Sequence, residues 1–298
     1  MTCRICRASG DFPRHSARER MFGSGQAFDY LRCTACGCLQ IEAIPQDLEH
    51  YYPADYYSYD PEAAKGWRAA LRRARNRALL RGGHAWLAWL QPYEALAAVA
   101  GQHLPRQARI LDVGCGRGQL VNALREQGYA QTCGIDPFLA QDLSPWIQKR
   151  SLANISGHWD LIMLHHSLEH LPDPHQAFAE IRRLLAPHGR VLIRVPTVDS
   201  WAFSHYGDCW VQWDPPRHLY LFSRQNLDLL AAAHGLQLRA LWDDSAPLQF
   251  WGSEGYRKGL MLAQIPTPMR LNPWYRWQAA RLNARGQGDM IVCLLSRA

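Results

Sequence analysis

From residue 109 onward, apolar positions come in short runs that alternate with stretches of helical spacing. Ile110, Leu111 and Val113 form one such run, the pattern of a strand buried on both faces. Leu120, Val121 and Leu124 then recur at helical spacing, and Gly128 falls where a glycine closes a helix. Thr132–Asp136 predicts a second strand, Ile147–Leu152 a third and Trp159–His165 a fourth. A helix over His175–Leu185, a fifth strand over Arg190–Pro196, a helix over Arg224–His234 and a sixth strand over Leu236–Trp242 follow. Asp289–Ser296 closes the series. This alternation predicts an α/β domain with a parallel sheet. Upstream, Pro61–Arg81 reads as a helix with Trp67, Leu71, Ala74 and Ala78 on one face, and Ala85–Ala100 as a second. The chain thus divides into a small module (1–60), a helical linker (61–105) and the α/β domain (106–298).

The 298 residues leave room for about two domains. The most apolar region, Ala78–Ala100, is broken by Arg81, His84, Gln91 and Glu94, so no membrane span is expected. Cysteines and arginines stand where a signal peptide would be apolar, and a cytoplasmic protein is the expectation. The formal charge is +7, and seven basic residues with no acidic one lie between Lys65 and Arg81. That run is either a solvated helix face or a patch for an anionic partner, such as a membrane surface touched peripherally through 65–81. Nine cysteines suggest metal ligands or reduced thiols more than disulfides.

Two cysteine pairs open the chain, Cys3-Arg-Ile-Cys6 and Cys33-Thr-Ala-Cys36, with 26 residues between them. Two such knuckles can set four thiolates tetrahedrally around Zn²⁺, and Gly37 eases the second turn. A closed four-cysteine site is structural and steadies a module too small for much core of its own. Four unrelated reduced cysteines are the bland alternative. Tyr51, Tyr52, Tyr56, Tyr57 and Tyr59 follow within nine positions. They either pack the small module onto its neighbour or line a substrate cleft.

The first strand runs into Gly114-Cys-Gly116-Arg-Gly118, where missing Cβ atoms permit a sharp turn and the close approach of a ligand. Asp136 ends the second strand 22 positions beyond Gly114. A carboxylate there can accept both ribose hydroxyls of a nucleoside. The loop lacks the glycine spacing of dinucleotide enzymes, and no Gly-Lys-Ser/Thr follows for a triphosphate. Asp112 would repel a pyrophosphate but could receive an ammonium or sulfonium group. Leu111–Gly118 closely resembles motif I of class I S-adenosylmethionine (AdoMet) methyltransferases, and the resemblance extends from about Arg109 to Asp244. It implies a Rossmann-like fold with a seven-stranded mixed sheet whose last strand, Asp289–Ser296, is antiparallel, preceded here by a zinc-ribbon-like module. It also implies a donor site drawn from Asp112, Gly114, Cys115, Gly116, Gly118, Asp136, Pro137, His165 and Glu169.

His166-x-x-Glu169-His170 matches a zinc-peptidase pattern letter for letter. That motif needs both histidines on one helix face, whereas here a buried strand precedes it and Pro172 follows at once. The segment resembles instead the post-strand stretch of bacterial small-molecule methyltransferases. By that resemblance Glu169 and His170 help shape the donor pocket and His166 faces the acceptor, while a divalent-metal role for Glu169 and His170 stays open. Residues 197–222, inserted after the fifth strand, hold Trp201, Tyr206, Trp210 and Trp213 beside Asp214, Arg217 and His218. Aromatic walls with a few polar groups, beyond the carboxyl ends of the strands, suit a small-molecule pocket. The insertion is expected to act as a lid, with Tyr57 or Tyr59 closing from the first module. A lid merely held by an Asp214–Arg217 pair is the alternative.

Pro216-Arg-His-Leu219 resembles an element of methyltransferases from bacterial polysaccharide and natural-product pathways. The four-cysteine module, the tyrosines and the α/β domain together are similar to sugar C-methyltransferases of antibiotic pathways. His166 and His218 are the candidate general bases, with Asp214 to orient either. The expected activity is AdoMet-dependent methyl transfer to a sugar, as nucleotide sugar, lipid-linked glycan or polysaccharide, or to a related small biosynthetic intermediate. An RNA base methyltransferase with an N-terminal zinc module is the alternative, which the basic run favours. The aromatic pocket and the lack of an Asn/Asp-Pro-Pro-aromatic motif argue against a nucleic acid partner.

Overall fold

The computed structural model describes residues 1–52, 67–80 and 93–298. Eleven strands form two sheets among these residues. The smaller begins with β1 (Arg14–Arg18), β2 (Ala27–Arg32) and β3 (Leu39–Ile41). The larger is built from β4 (Ile110–Val113), β5 (Thr132–Ile135), β6 (Ile147–Gln148), β7 (Trp159–His165), β8 (Leu185–Pro196), β10 (Leu236–Asp243) and β11 (Met290–Arg297). Between these falls β9 (Tyr220–Leu221).

The large sheet has the order β10-β11-β8-β7-β4-β5-β6. Strands β4 to β8 pair in parallel, and β11 runs antiparallel to both β8 and β10. All four residues of β4 are buried, as the unbroken apolar run requires when helices cover both faces. The helices start where their caps stand. Asp173 accepts from Gln176 N at 3.0 Å to open Pro174–Leu184, and Ser223 accepts from Asn226 N at 3.1 Å to open Arg224–Ala233.

Several boundaries differ from the sequence reading. The third strand, expected over Ile147–Leu152, is only Ile147–Gln148 before a turn over Leu152–Asn154. The fifth begins at Leu185 rather than Arg190, because Leu185 already pairs with Trp159 across a register irregularity. The linker helix is seen as Trp67–Leu80 and the next as Glu94–Ala100. The rest of their expected spans, with Tyr56, Tyr57, Tyr59, Lys65 and Arg81, lies outside the described residues. The face expected to pack is also wrong. Trp67 and Leu71 are 69% and 60% exposed, and the helix docks through buried Asn76 with Leu79 and Leu80. No helix among the described residues is long and apolar enough to cross a membrane.

The largest departure concerns residues 197–222. They do not form a free lid. Strand β9, near the end of the insertion, pairs with β3 and completes the small sheet, with Leu39 opposite Leu221 and Gln40 opposite Tyr220. Thr197 and Phe222 bridge the two ends of the insertion. Trp210 is fully buried and donates its indole N–H to Asp289 at 3.0 Å. One apolar core runs from Ile5, Tyr30 and Ile41 through Leu219–Phe222 to Ile162 and Ile193 of the large sheet. Burial on this scale ties insertion, small sheet and large sheet into one body, where a hinged lid would keep its own surface.

Candidate active site

A cavity of about 140 Å³ opens where the chain leaves the carboxyl ends of β4, β5, β6 and β7. Val113–Gly114, Ile135–Phe138, Arg150–Leu152, His166–Ser167 and His170–Leu171 supply its walls, together with Tyr52. Strand β4 has β5 on one side and β7 on the other, so the cavity sits where the strand order reverses, the usual ligand position in open α/β sheets. A larger cavity, about 1080 Å³, runs along Glu94–Gln102 and strands β8, β10 and β11, and none of the expected donor residues lines it.

The glycine loop has φ values of +75°, +51° and +75° at Gly114, Gly116 and Gly118, a region that favours glycine. A methyl group at Gly114 would stand 2.4 Å from Ser167 Cβ. Ser167 in turn donates to Val113 O at 2.7 Å, stitching the exit of β7 to that of β4. Asp136 accepts from Gly116 N at 3.0 Å and from Phe138 N at 2.8 Å. Burial raises its pKa, against those two hydrogen bonds. The carboxylate is thereby fixed in orientation, with lone pairs to spare for a ribose.

Of the residues expected to hold the donor, Gly114, Asp136 and Pro137 line the cavity. Gly116 contributes through its N–H on Asp136, and Gly118 starts the helix Gln119–Glu126. Cys115 packs on Gly134, where an added Cβ would meet its sulfur at 2.6 Å. Asp112, His165 and Glu169 are not among the lining residues. Asp112 is buried in β4, where burial and then Asp136 push its pKa up to about 7. His165 has both ring nitrogens without a partner among the described residues, and burial, then Arg194 and His166, pull its pKa down to about 3. Sequence reasoning missed Phe138, Arg150, Leu152 and Ser167. Phe138 could have been suspected from its place just after the acid, and its ring stacks on Tyr52 at 5.1 Å.

At the other end of the cavity His166, Glu169, His170 and His218 gather. His166 has φ +52°, a left-handed conformation that costs about 1–3 kcal/mol in a residue other than glycine and clusters at functional sites. Its Nε2 accepts from the Arg194 guanidinium at 2.8 Å, and Arg194 is held by Asp244 at 2.6 Å. An arginine only donates, so Nδ1 of His166 carries the proton and faces Glu169 Oε1 at 3.6 Å. His170 and His218 each hold a backbone carbonyl through Nδ1, Arg217 O and Gln212 O, both at 2.8 Å. Burial, then His218, lowers the His170 pKa to about 4. For the Glu169 carboxylate burial acts upward, but the histidines, His166 first, outweigh it and hold its pKa below the usual value.

These contacts revise the roles expected for the histidines. His166 lines the cavity, but its lone pair is taken by Arg194, so in this arrangement it is a hydrogen-bond donor rather than a base. His218 is buried and is not among the lining residues, whereas His170 is. Asp214 orients neither strongly. Its carboxylate is bound by Arg217 Nε at 3.1 and 3.0 Å and again by Nη2, and it stands 3.9 Å from His218 Nε2.

The four N-terminal cysteines do converge. Cys3 Sγ lies 3.7 Å from Cys36 Sγ and Cys6 Sγ 3.6 Å from Cys33 Sγ, and all four sulfurs fall within 4.8 Å of one another. A tetrahedral four-thiolate zinc with bonds near 2.3 Å has sulfurs about 3.8 Å apart. The donor set fits that ion. Cys38 is buried and bonds Leu39 O, outside the group. The knuckles dock on the α/β domain through their backbone: Ser223 donates to Cys36 O and His175 to Ile5 O, at 2.7 and 2.8 Å.

A mixed sheet in this order, with a glycine loop after its first strand and a carboxylate after its second, defines the class I methyltransferase fold, a scaffold shaped to hold AdoMet. The profile of one family, described as a methyltransferase domain, matches residues 71–241, and the chain belongs to that family. It is 30% identical over 227 residues to the ubiquinone biosynthesis O-methyltransferase of Xylella fastidiosa, covering 69% of this chain and 83% of that protein. It is 28% identical over 164 residues to the malonyl-[acyl-carrier protein] O-methyltransferase of Hahella chejuensis, covering 48% of this chain. The chain spans about half the length of that relative, 55%. Among solved structures, an O-methyltransferase from a trans-AT PKS multienzyme of Brevibacillus brevis, in complex with S-adenosyl-L-homocysteine, is 18% identical with a TM-score of 0.47, covering 75% of this chain and 79% of that one.

Proposed function

We propose that the protein is an AdoMet-dependent methyltransferase of small-molecule biosynthesis, with a sugar or related intermediate as acceptor. AdoMet supplies an electrophilic methyl carbon. Asp136 would hold its ribose, with Gly114 and Gly116 giving the backbone room. The observation that carries the small-acceptor reading is the far wall of the cavity. The stacked Tyr52–Phe138 pair, His166 and His170 line it, and the fully buried Glu169 lies 3.6 Å from His166. Aromatic faces with a few fixed polar groups fit a sugar ring better than a polynucleotide, which needs a basic groove. Activation of the acceptor hydroxyl falls to the Glu169–His170–His218 group. Incubation with methyl-labelled AdoMet should label a nucleotide-sugar or lipid-linked glycan pool and leave RNA unlabelled. Label in RNA alone would overturn the reading.

The same proposal includes one structural zinc on Cys3, Cys6, Cys33 and Cys36. Elemental analysis of unchelated protein should find it. Cys36→Ser should unfold the knuckles and, through β3 and its partner β9, loosen the insertion as well. Protein purified without zinc, or a Cys36→Ser variant as heat-stable as the parent, would remove the zinc from the account.

A further inference from the structure

Behind the cavity, Glu169, His170 and His218 bring possible ligand atoms together. Neither oxygen of Glu169 has a hydrogen-bond partner among the described residues, although the side chain is 0% exposed. His218 Nε2 lies 4.0 Å from Glu169 Oε1. One ligand atom from each of Glu169, His170 and His218 falls within 4.8 Å of the others. The proton positions follow from the outer bonds. A carbonyl oxygen can only accept, so the 2.8 Å bonds from His170 Nδ1 to Arg217 O and from His218 Nδ1 to Gln212 O put the proton on Nδ1 in both rings. Nε2 therefore carries the lone pair in each. The Nε2 lone pair of His218 stands beside the Glu169 carboxylate, and the His170 ring completes a group of possible ligands.

Among the described residues, the neighbouring arginines are already engaged elsewhere. Arg217 is bound to Asp214 and to Glu19, and Arg194 to Asp244 and His166. The His166 Nδ1–H points at Glu169 from 3.6 Å, longer than a hydrogen bond. A buried carboxylate without donors is costly unless a cation joins it. Two histidines anchored through Nδ1–H on carbonyls have the outer bonding that orients imidazole ligands toward a metal.

We propose that Glu169, His170 and His218 bind a divalent cation at the acceptor end of the cavity. Two imidazoles and one carboxylate suit Mn²⁺, Fe²⁺, Co²⁺ or Zn²⁺, whereas the four thiolates of the N-terminal group select a softer set. The task of this cation rests on the methyltransferase reading: it lowers the pKa of an acceptor hydroxyl. The hydroxyl proton leaves to solvent, the oxygen lone pair forms the new C–O bond, and the C–S bonding electrons return to sulfur as S-adenosylhomocysteine departs. Glu169 and the two histidines thereby act as ligands, which replaces the expectation that His218 is the base.

The test is Mn²⁺ titration of the full chain, followed by electron paramagnetic resonance after mild chelation, with Glu169→Gln and His218→Ala alongside. Mn²⁺ avoids thiolate sites, so uptake reports on this group alone. The parent should bind one Mn²⁺ per chain, and each variant should bind it at least about tenfold more weakly, the smallest loss seen even for outer partners of a metal site. No saturable uptake by the parent overturns the proposal, as does uptake by both variants equal to the parent's. Calorimetry with S-adenosylhomocysteine on the same samples reports separately on the donor site. Mn²⁺ uptake without donor binding would uphold the metal site and sink the methyltransferase reading.

Discussion

Arg217→Met should cost about 3–5 kcal/mol of stability, because it strands two buried carboxylates. Arg217 is 1% exposed and its guanidinium binds Glu19 at 2.9 Å, Asp214 through Nε and Nη2, and Tyr51 O at 3.1 Å. It is the one side chain that ties the N-terminal segment to the insertion by charge among the described ion pairs with both partners under 10% exposed. Methionine keeps most of the volume and removes the charge. Both carboxyls have pKa values below their usual 4.5 and 3.8: burial works upward, while for Glu19 the Phe22 N–H and Arg217, and for Asp214 Arg217, outweigh it. A carboxyl with a lowered folded pKa contributes stability above its unfolded pKa and loses it as pH falls through the folded value. The gap between parent and variant should therefore be full at pH 7 and shrink as pH falls below about 4. Urea unfolding at both pH values measures it. Equal midpoints at pH 7 would show that the pair contributes no net stability.

Asp136→Ala should weaken S-adenosylhomocysteine binding by about 1.5–3 kcal/mol, the worth of a lost hydrogen bond to a charged group. That is roughly tenfold to 150-fold in affinity. The loss is not confined to the ribose. Asp136 also holds the N–H groups of Gly116 and Phe138, so the alanine variant loosens the glycine loop and the ring that stacks on Tyr52. Asp136→Asn keeps an acceptor for one of the two and should lose less. Gly114→Ala is a second probe of the same wall, since its methyl would collide with Ser167 Cβ. Isothermal titration calorimetry decides the matter: unchanged affinity in Asp136→Ala would place the donor elsewhere.

The sheet was legible because its evidence is local. Each strand of the α/β domain announces itself as an apolar run, and the loop between β4 and the next helix by glycines that positive φ demands. The cysteine spacing was equally local, and the four sulfurs meet as it implied. The Asp214–Arg217 pair was legible too, as the alternative to a working lid. What stayed hidden depends on partners far along the chain. Nothing in Tyr220–Leu221 says that it will pair with Leu39–Ile41, since two residues carry no periodicity. The histidine roles turn on which atom each ring meets, and those partners, Arg194 for His166 and Gln212 O for His218, are fixed only by the folded sheet. Helix 67–80 misled for a related reason. Its apolar stripe predicts one buried face, but it docks through Asn76, Leu79 and Leu80.

The pairing of β3 with β9 has a consequence for biosynthesis. Gln40 and Tyr220 are neighbours in the sheet, yet 179 residues of chain lie between them. At roughly 5–20 residues per second, the ribosome takes about 9–36 s to supply the missing strand. Throughout that interval β3 presents an unpaired edge and the buried faces of Leu39 and Ile41 to solvent or to a chaperone. A nascent chain stalled before residue 220 should therefore aggregate or be held by chaperones, while one released beyond Phe222 can close its first sheet. Early filling of the cysteine knuckles would keep the first strands ordered while the edge waits.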